Sequence, residues 1–278
     1  ASNTDEYKND QTNSELKSSL GYFAKLKLYK KDLANKKIYS LTPKFLLRYA
    51  PGHMRKVKDG KLNYDNLFEL NKINEIDVIE SGLSSSIGFE YKKNKMDENN
   101  NIANEVFAFS AGQVVSEKEN MDIPSSTSLD QKFSDVVGVA KYNINEKVNL
   151  KYNFSIDQGY KKFNYNEFSG DLNFEDVKFN LSYLQEKNHI GNQEFAQVGL
   201  DFKLNDFTEF NVSTKRNLLT RSAEFYNLSY NYINDCLKAG VGYRREFYTD
   251  RDIEPTNTLM FTISIIPFAT INSPSIAR

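Results

Sequence analysis

From Lys147 to Asp157 the chain alternates without a break. Val148, Leu150, Tyr152, Phe154 and Ile156 fall on one side, and Lys147, Asn149, Lys151, Asn153 and Ser155 on the other. A period of two is a strand with one apolar face. The same pattern runs through residues 177–183 (Lys178, Asn180 and Ser182 opposite), 196–204 (Gln197, Asp201 and Lys203 opposite) and 237–243 (Lys238, Gly240 and Gly242 opposite). A succession of such strands, each roughly 10 residues long, predicts an all-β, antiparallel transmembrane β-barrel.

The connections give a second test. Strands are expected near residues 18–29, 38–50, 83–91, 105–115, 135–143, 147–157, 164–174, 177–184, 194–204, 207–216, 221–232, 236–248 and 257–266, about thirteen in all against the even number usual in a single-chain bacterial barrel. Tight turns rich in Asn and Asp (residues 144–146, 175–176, 205–206, 233–235) alternate with longer links. Short inner turns and longer outer loops are what an outer-membrane barrel has. On that assignment residues 1–16 form a polar tail in an outer loop, residues 17–268 the barrel, and residues 269–278 a C-terminal periplasmic tail. Residues 92–104 form a long link on the periplasmic side, which fits poorly. The odd strand count is most simply explained as the back part of a larger barrel cut within an outer loop, and a missed strand would equally restore parity. The link 51–82 is long enough to fold inward or cap the barrel, as loops beyond ~15 residues are usually functional or disordered.

Composition sharpens this picture. With 39 % hydrophobic residues and a mean hydropathy of −0.61 the chain excludes a helical membrane protein, and no apolar stretch approaches the ~20 residues a spanning helix needs. A barrel needs only every second residue to face lipid. Trp is absent, so Tyr and Phe must supply any interfacial aromatics. The net charge of −1 offers no polybasic footprint, which argues against nucleic acid as a partner. Cys236 is the sole cysteine and excludes an internal disulfide.

Chemistry-bearing motifs are lacking. The sequence has no phosphate-cradling glycine loop, nucleophile elbow or HExxH, so the reading is of a non-enzyme without cofactor or metal. His53 and His189 fall in separate outer loops and are expected to be solvent-exposed. Asp250, Arg251, Asp252 and Glu254 read as a solvated mixed-charge loop. Lys147, Lys151, Lys178, Lys203 and Lys238 share the polar face, interleaved with Asp201 and Glu246. They are candidate lumen cations for an anionic saccharide or phosphate, although mixed signs favour a solvated, internally paired lumen. Pro43 removes a ladder hydrogen bond and marks a strand bulge, either an ordinary one or a place where the barrel loosens.

Three stretches resemble one family, the LPS-assembly proteins of the outer membrane (LptD, formerly OstA). The first is Leu41-Thr42-Pro43-Lys44-Phe45-Leu46-Leu47-Arg48-Tyr49 with Ala50-Pro51-Gly52 after it. The second is Asn66-Leu67-Phe68-Glu69-Leu70-Asn71-Lys72-Ile73-Asn74-Glu75-Ile76-Asp77, running on to a Gly-flanked strand from Ser81 to Tyr91. The third is Asp235-Cys236-Leu237-Lys238 and the final strand through Leu259, Phe261, Ile263 and Ile265. The chain departs from the pattern in carrying Glu75 where Gly is usual, and one cysteine where several relatives have adjacent ones. The resemblance implies the C-terminal part of a barrel that transports lipopolysaccharide and inserts it into the outer leaflet of the bacterial outer membrane. It also implies a lateral gate on the last strand (Leu259, Phe261, Ile263, Ile265) and a disulfide from Cys236 to an N-terminal periplasmic domain. The implied partners are lipopolysaccharide, outer-membrane lipid, an LptE-like lipoprotein plug and an LptA-like periplasmic bridge. A passive outer-membrane porin and an autotransporter-type translocator are the alternatives.

Overall fold

The computed structural model describes residues 17–265 except 74, 76–77, 99–100, 146 and 248–255, together with the backbone of 269–272 and 276–277. Sixteen strands form one antiparallel sheet. They are β1 (Leu20–Lys25), β2 (Leu28–Asp32), β3 (Lys37–Ala50), β4 (Gly82–Met96), β5 (Ile102–Ser116), β6 (Val136–Asn145), β7 (Val148–Ile156), β8 (Phe163–Asn173), β9 (Val177–Glu186), β10 (Gln193–Asn205), β11 (Thr208–Asn217), β12 (Ser222–Ile233), β13 (Leu237–Glu246), β14 (Asn257–Ile265), β15 (Ala269–Asn272) and β16 (Ile276–Ala277). From β3 to β15 each strand pairs with its sequence neighbour, as a meander of hairpins requires, and β1 and β2 both lie along β3. Among the described residues no pairing joins β1 to the far end, so the sheet is open.

The register sorts side chains onto two faces. Arg48 lies opposite Ser84, Ser84 opposite Ser116, Gly112 opposite Val137, Val137 opposite Ser155, and Ser155 opposite Tyr165. The other face carries Leu41, Phe45, Leu47, Tyr49, Ile87, Phe89, Leu228, Tyr230, Phe261 and Ile263, all of them exposed. A water-soluble sheet buries its apolar face. This one leaves it bare, as a wall against lipid must be. No described helix is long and apolar enough to cross a membrane, so any crossing is made by strands.

What is buried instead is the polar face of the first half of the sheet. Residues 51–81, between β3 and β4, and residues 117–135, between β5 and β6, pack over it. Their Met54, Val57, Leu62, Leu67, Ile73, Val78, Ile123 and Leu129 form one apolar cluster with Val114 and Val137 of the sheet. The expected inward-folding of the long link is therefore met by a segment with its own core.

Three details differ from the sequence expectation. The link drawn at 92–104 is a turn, because β4 extends to Met96 and β5 starts at Ile102. Lys92, Lys93, Asn94 and Lys95 are polar on both faces at the watery end of the hairpin, which hides the alternation. The strand expected at 18–29 is split into β1 and β2 with a single register, Lys25 opposite Lys44 and Leu28 opposite Leu41. Counted as one, it brings the long strands through β14 to thirteen. Finally, part of the segment 269–278 is not a free tail: β15 and β16 both pair with β14.

Candidate functional site

The inner face and the segment laid on it form the candidate site. The segment is seated by small residues on the sheet. A Cβ at Gly112 would strike Leu67, one at Gly88 would approach Phe68, and one at Gly21 would strike Leu70. Glycines inside strands mark such close approaches. The Leu67-Phe68-Glu69-Leu70 motif thus lies in a trough that only glycine leaves open. Asn66 holds it in shape by donating from its side-chain amide to the carbonyls of Lys61 (2.8 Å) and Lys72 (2.9 Å).

An ion cluster fastens this segment to the wall. Glu80 lies just ahead of β4, and its Oε1 sits 2.7 Å from Lys72 Nζ and 3.2 Å from Arg48 Nη1. Arg48 also donates from Nε to the Leu70 carbonyl and from Nη2 to the Glu80 carbonyl. All three side chains are at least 95 % buried. Burial pushes the Lys72 ammonium below the ordinary lysine range, and Glu80 offsets part of that shift. Further along, Lys61 Nζ lies 3.4 Å from Glu186 Oε1 and 3.4 Å from the centre of the Tyr165 ring, so the segment also reaches β8 and β9.

Asp135 forms a second anchor at the start of β6. Its Oδ2 accepts from Ser155 Oγ (2.8 Å) and Asn164 Nδ2 (2.7 Å) and lies 3.1 Å from His189 Nε2. The Asp135 carboxylate beside it raises the His189 pKa above its ordinary 6.5. The expectation of a solvent-exposed His189 is corrected: its side chain is only 24 % exposed, because Asp135 draws it onto the sheet. His53 is exposed, as expected.

The register places Lys151, Lys178, Lys203 and Lys238 on the inner face, and Lys147 in the turn before β7. Among the described residues those four strand lysines make no ion pair. The neighbouring carboxylates are held by amides instead: Asn153 donates to Glu167 (2.6 Å), Asn180 to Asp171 (2.8 Å) and Asn211 to Asp201. Leu259, Phe261, Ile263 and Ile265 all fall on the exposed apolar face of β14. Pro43 also faces outward, and β3 pairs with β4 through it without a register shift. On its other edge Pro43 accepts from the Leu26 N–H (3.2 Å) but has no N–H to return, and there β1 and β2 part. Cys236 is exposed in the turn between β12 and β13, where its N–H donates to Asn234 Oδ1 (3.0 Å). The mixed-charge group from Asp250 to Glu254 lies outside the described residues. Among those described, no three potential metal ligands cluster.

A lipid-ready outer face, a polar inner face and a segment folded over it define a barrel protein of the outer-membrane class. A family model described as LptD, LPS transport system D, matches residues 58–232, from within the folded-in segment through all but the last residue of β12. The chain belongs to this family. The family is one of LPS transport, and membership points to the outer membrane and to partners in the same transport system. Among solved structures, a triple mutant of Rhodopseudomonas blastica porin superposes at 11 % identity and a TM-score of 0.38, covering 93 % of this chain and 89 % of that one. A protein described under asymmetric conductivity of engineered proteins superposes at 12 % identity and a TM-score of 0.33, covering 94 % and 97 %. Both superpositions are loose, and the assignment rests on the family match. No curated protein matches.

Sequence reasoning missed the Arg48–Glu80–Lys72 cluster and the Asp135 anchor. Arg48 alternates with the apolar Leu47 and Tyr49, which marks its face, but its partners lie in a link without periodicity.

Proposed function

We infer that this chain works in the transport of lipopolysaccharide and its insertion into the outer leaflet, as an integral outer-membrane protein without catalytic chemistry. The family match over residues 58–232 carries this reading. The bare apolar face supports it as a wall against acyl chains, while the amide- and lysine-rich inner face suits a sugar that must stay hydrated. In this reading β14 is one side of a lateral gate, with Leu259, Phe261, Ile263 and Ile265 against lipid. Cys236, exposed in a turn, bonds a cysteine that lies outside this sequence, in the oxidising periplasm. A lipoprotein plug and a periplasmic bridge protein complete the path.

The test is conditional depletion of the protein in its own cell, followed by assay of surface lipopolysaccharide. Depletion should leave newly made lipopolysaccharide short of the outer leaflet while the inner membrane continues to make it. Undiminished surface lipopolysaccharide, with a fall in the outer membrane's permeability to small solutes, would replace this reading with a porin.

A further inference from the structure

At the periplasmic end of the inner face, as the alternation of short and long connections sets it, the stretch from Lys27 through β2, together with β3, β4 and the start of β5, lines an open recess of about 440 Å3. That is within the ~300–1,000 Å3 of small-ligand sites. Its walls carry Lys27, Tyr29 and Lys31, and its floor includes Ser40 and Asn94, each 6 % exposed. The register explains the convergence. Tyr29 lies opposite Ser40, Lys31 opposite Ile38, and Ile38 in turn opposite Asn94. Lys27 lies in the break between β1 and β2 and Lys31 within β2, and both line the recess.

The charged side chains lining this recess, Lys27 and Lys31, are both cations. Of the carboxylates near it, Glu90 and Glu105 are held by lysines and Asp32 and Asp97 accept from neutral amides, while Glu98 is exposed in the turn beyond Asp97. Glu90 holds Lys44 (3.1 Å) and Lys92 (2.6 Å), Glu105 holds Lys92 (3.5 Å), and Asp32 is turned back on the N–H and amide of Asn35 (3.1 and 2.9 Å). Asp97 accepts the Asn101 N–H (2.8 Å). Among the described residues Lys27 and Lys31 form no ion pair, whereas Lys44, Lys61 and Lys92 on the same face each do. Two like charges on one wall, above a buried hydroxyl and a buried amide, leave a place that an anion with several acceptor oxygens would complete.

We propose that this recess binds the phosphate of a phosphorylated saccharide headgroup on an anionic lipid. Lys27 and Lys31 supply charge, Tyr29 a hydroxyl donor, and Ser40 and Asn94 the polar floor. The proposal rests on the transport reading and locates within it the first polar contact on the inner face. A phosphate entering at this end meets unpaired ammonium groups before it meets Lys44 and Arg48, which are occupied.

The test uses the protein purified in detergent from outer membranes, with lipid A carrying its phosphates and lipid A stripped of them as probes. The phosphorylated form should bind more tightly. Lys27→Gln/Lys31→Gln should cost it about tenfold or more in affinity and leave the stripped form unaffected. Lys27→Arg/Lys31→Arg should retain binding, which separates lost charge from a misfolded wall. Lys30→Gln/Lys36→Gln, an equal charge change at the same end outside the recess, should leave affinity unchanged. An unaltered affinity of the Gln pair would overturn the site while leaving the transport reading standing. Equal binding of both lipids by the unaltered protein would overturn phosphate recognition. Inorganic phosphate binding as tightly as the lipid, and lost in the Gln pair, would overturn the headgroup assignment in favour of a free-phosphate site. Failure of either lipid to bind would remove the transport reading and the site with it.

Discussion

Glu80 holds two cations in a place that excludes water, and the energetics of that arrangement are asymmetric. Removing the carboxylate leaves Arg48 and Lys72 buried without their counter-charge, which costs about 3–5 kcal/mol in comparable buried pairs. Glu80→Ala is therefore expected to release residues 51–81 from the wall, read as faster hydrogen exchange and protease cleavage within that segment while the strands stay protected. His189 works with the opposite sign of partner. Asp135 raises its pKa, so the imidazolium stabilises the fold fully below 6.5 and that contribution is lost as pH climbs through the raised folded value. The loop at residues 187–192 should open with rising pH across that window, measurable by hydrogen exchange. His189→Gln should make the opening independent of pH. At this scale the sequence was only partly readable. Alternation marked the face of Lys151, Lys178, Lys203 and Lys238, because one strand suffices to define a face. It could not pair Arg48 with Glu80, or His189 with Asp135, because those contacts depend on where aperiodic links come to rest.

At the scale of elements, the strands from β6 to β14 were legible almost to the residue, since each has one mainly apolar side and most end in Asn- or Asp-containing turns. Legibility failed where polarity no longer reports direction. The tip of the β4–β5 hairpin is polar on both faces because it stands in water, and β15 and β16 are too short for a period to show. Pro43 was visible as a disruption, but its consequence falls on the neighbouring strand: β3 runs on unshifted while β1 and β2 separate. Pro43→Val would restore the missing donor opposite Leu26 and should join β1 to β2, a gain of about 0.5–1.5 kcal/mol. The expected readout is slower amide exchange from Ala24 to Leu28. Unchanged exchange there would mean that the break has another cause.

For the whole molecule, the two edges of the sheet differ. The edge of β14 is occupied along much of its length by β15 and β16, whereas β1 has no neighbour beyond it among the described residues. Two bare edges would invite association with other chains. Here one of them is shielded from within, and any strand that closes the sheet against β14 must first displace the chain's own C-terminal segment. The two long links fill the inner face of the opposite half, so the molecule is densely packed where β3 to β6 stand and open from β9 onward.

The Arg48–Glu80–Lys72 cluster has a further consequence. It joins the end of β3 to the residue next but one before β4, so the intervening chain is a closed ring tied off at its neck. The entropy of closing a ring grows only with the logarithm of its length, each doubling adding about 0.6 kcal/mol. With the knot fixed, the exposed stretch around Lys58 and Asp59 can gain or lose residues while the strands on either side keep their register. The length of that exposed stretch is thereby uncoupled from the pairing of β3 with β4 as long as the three charges that tie the ring remain.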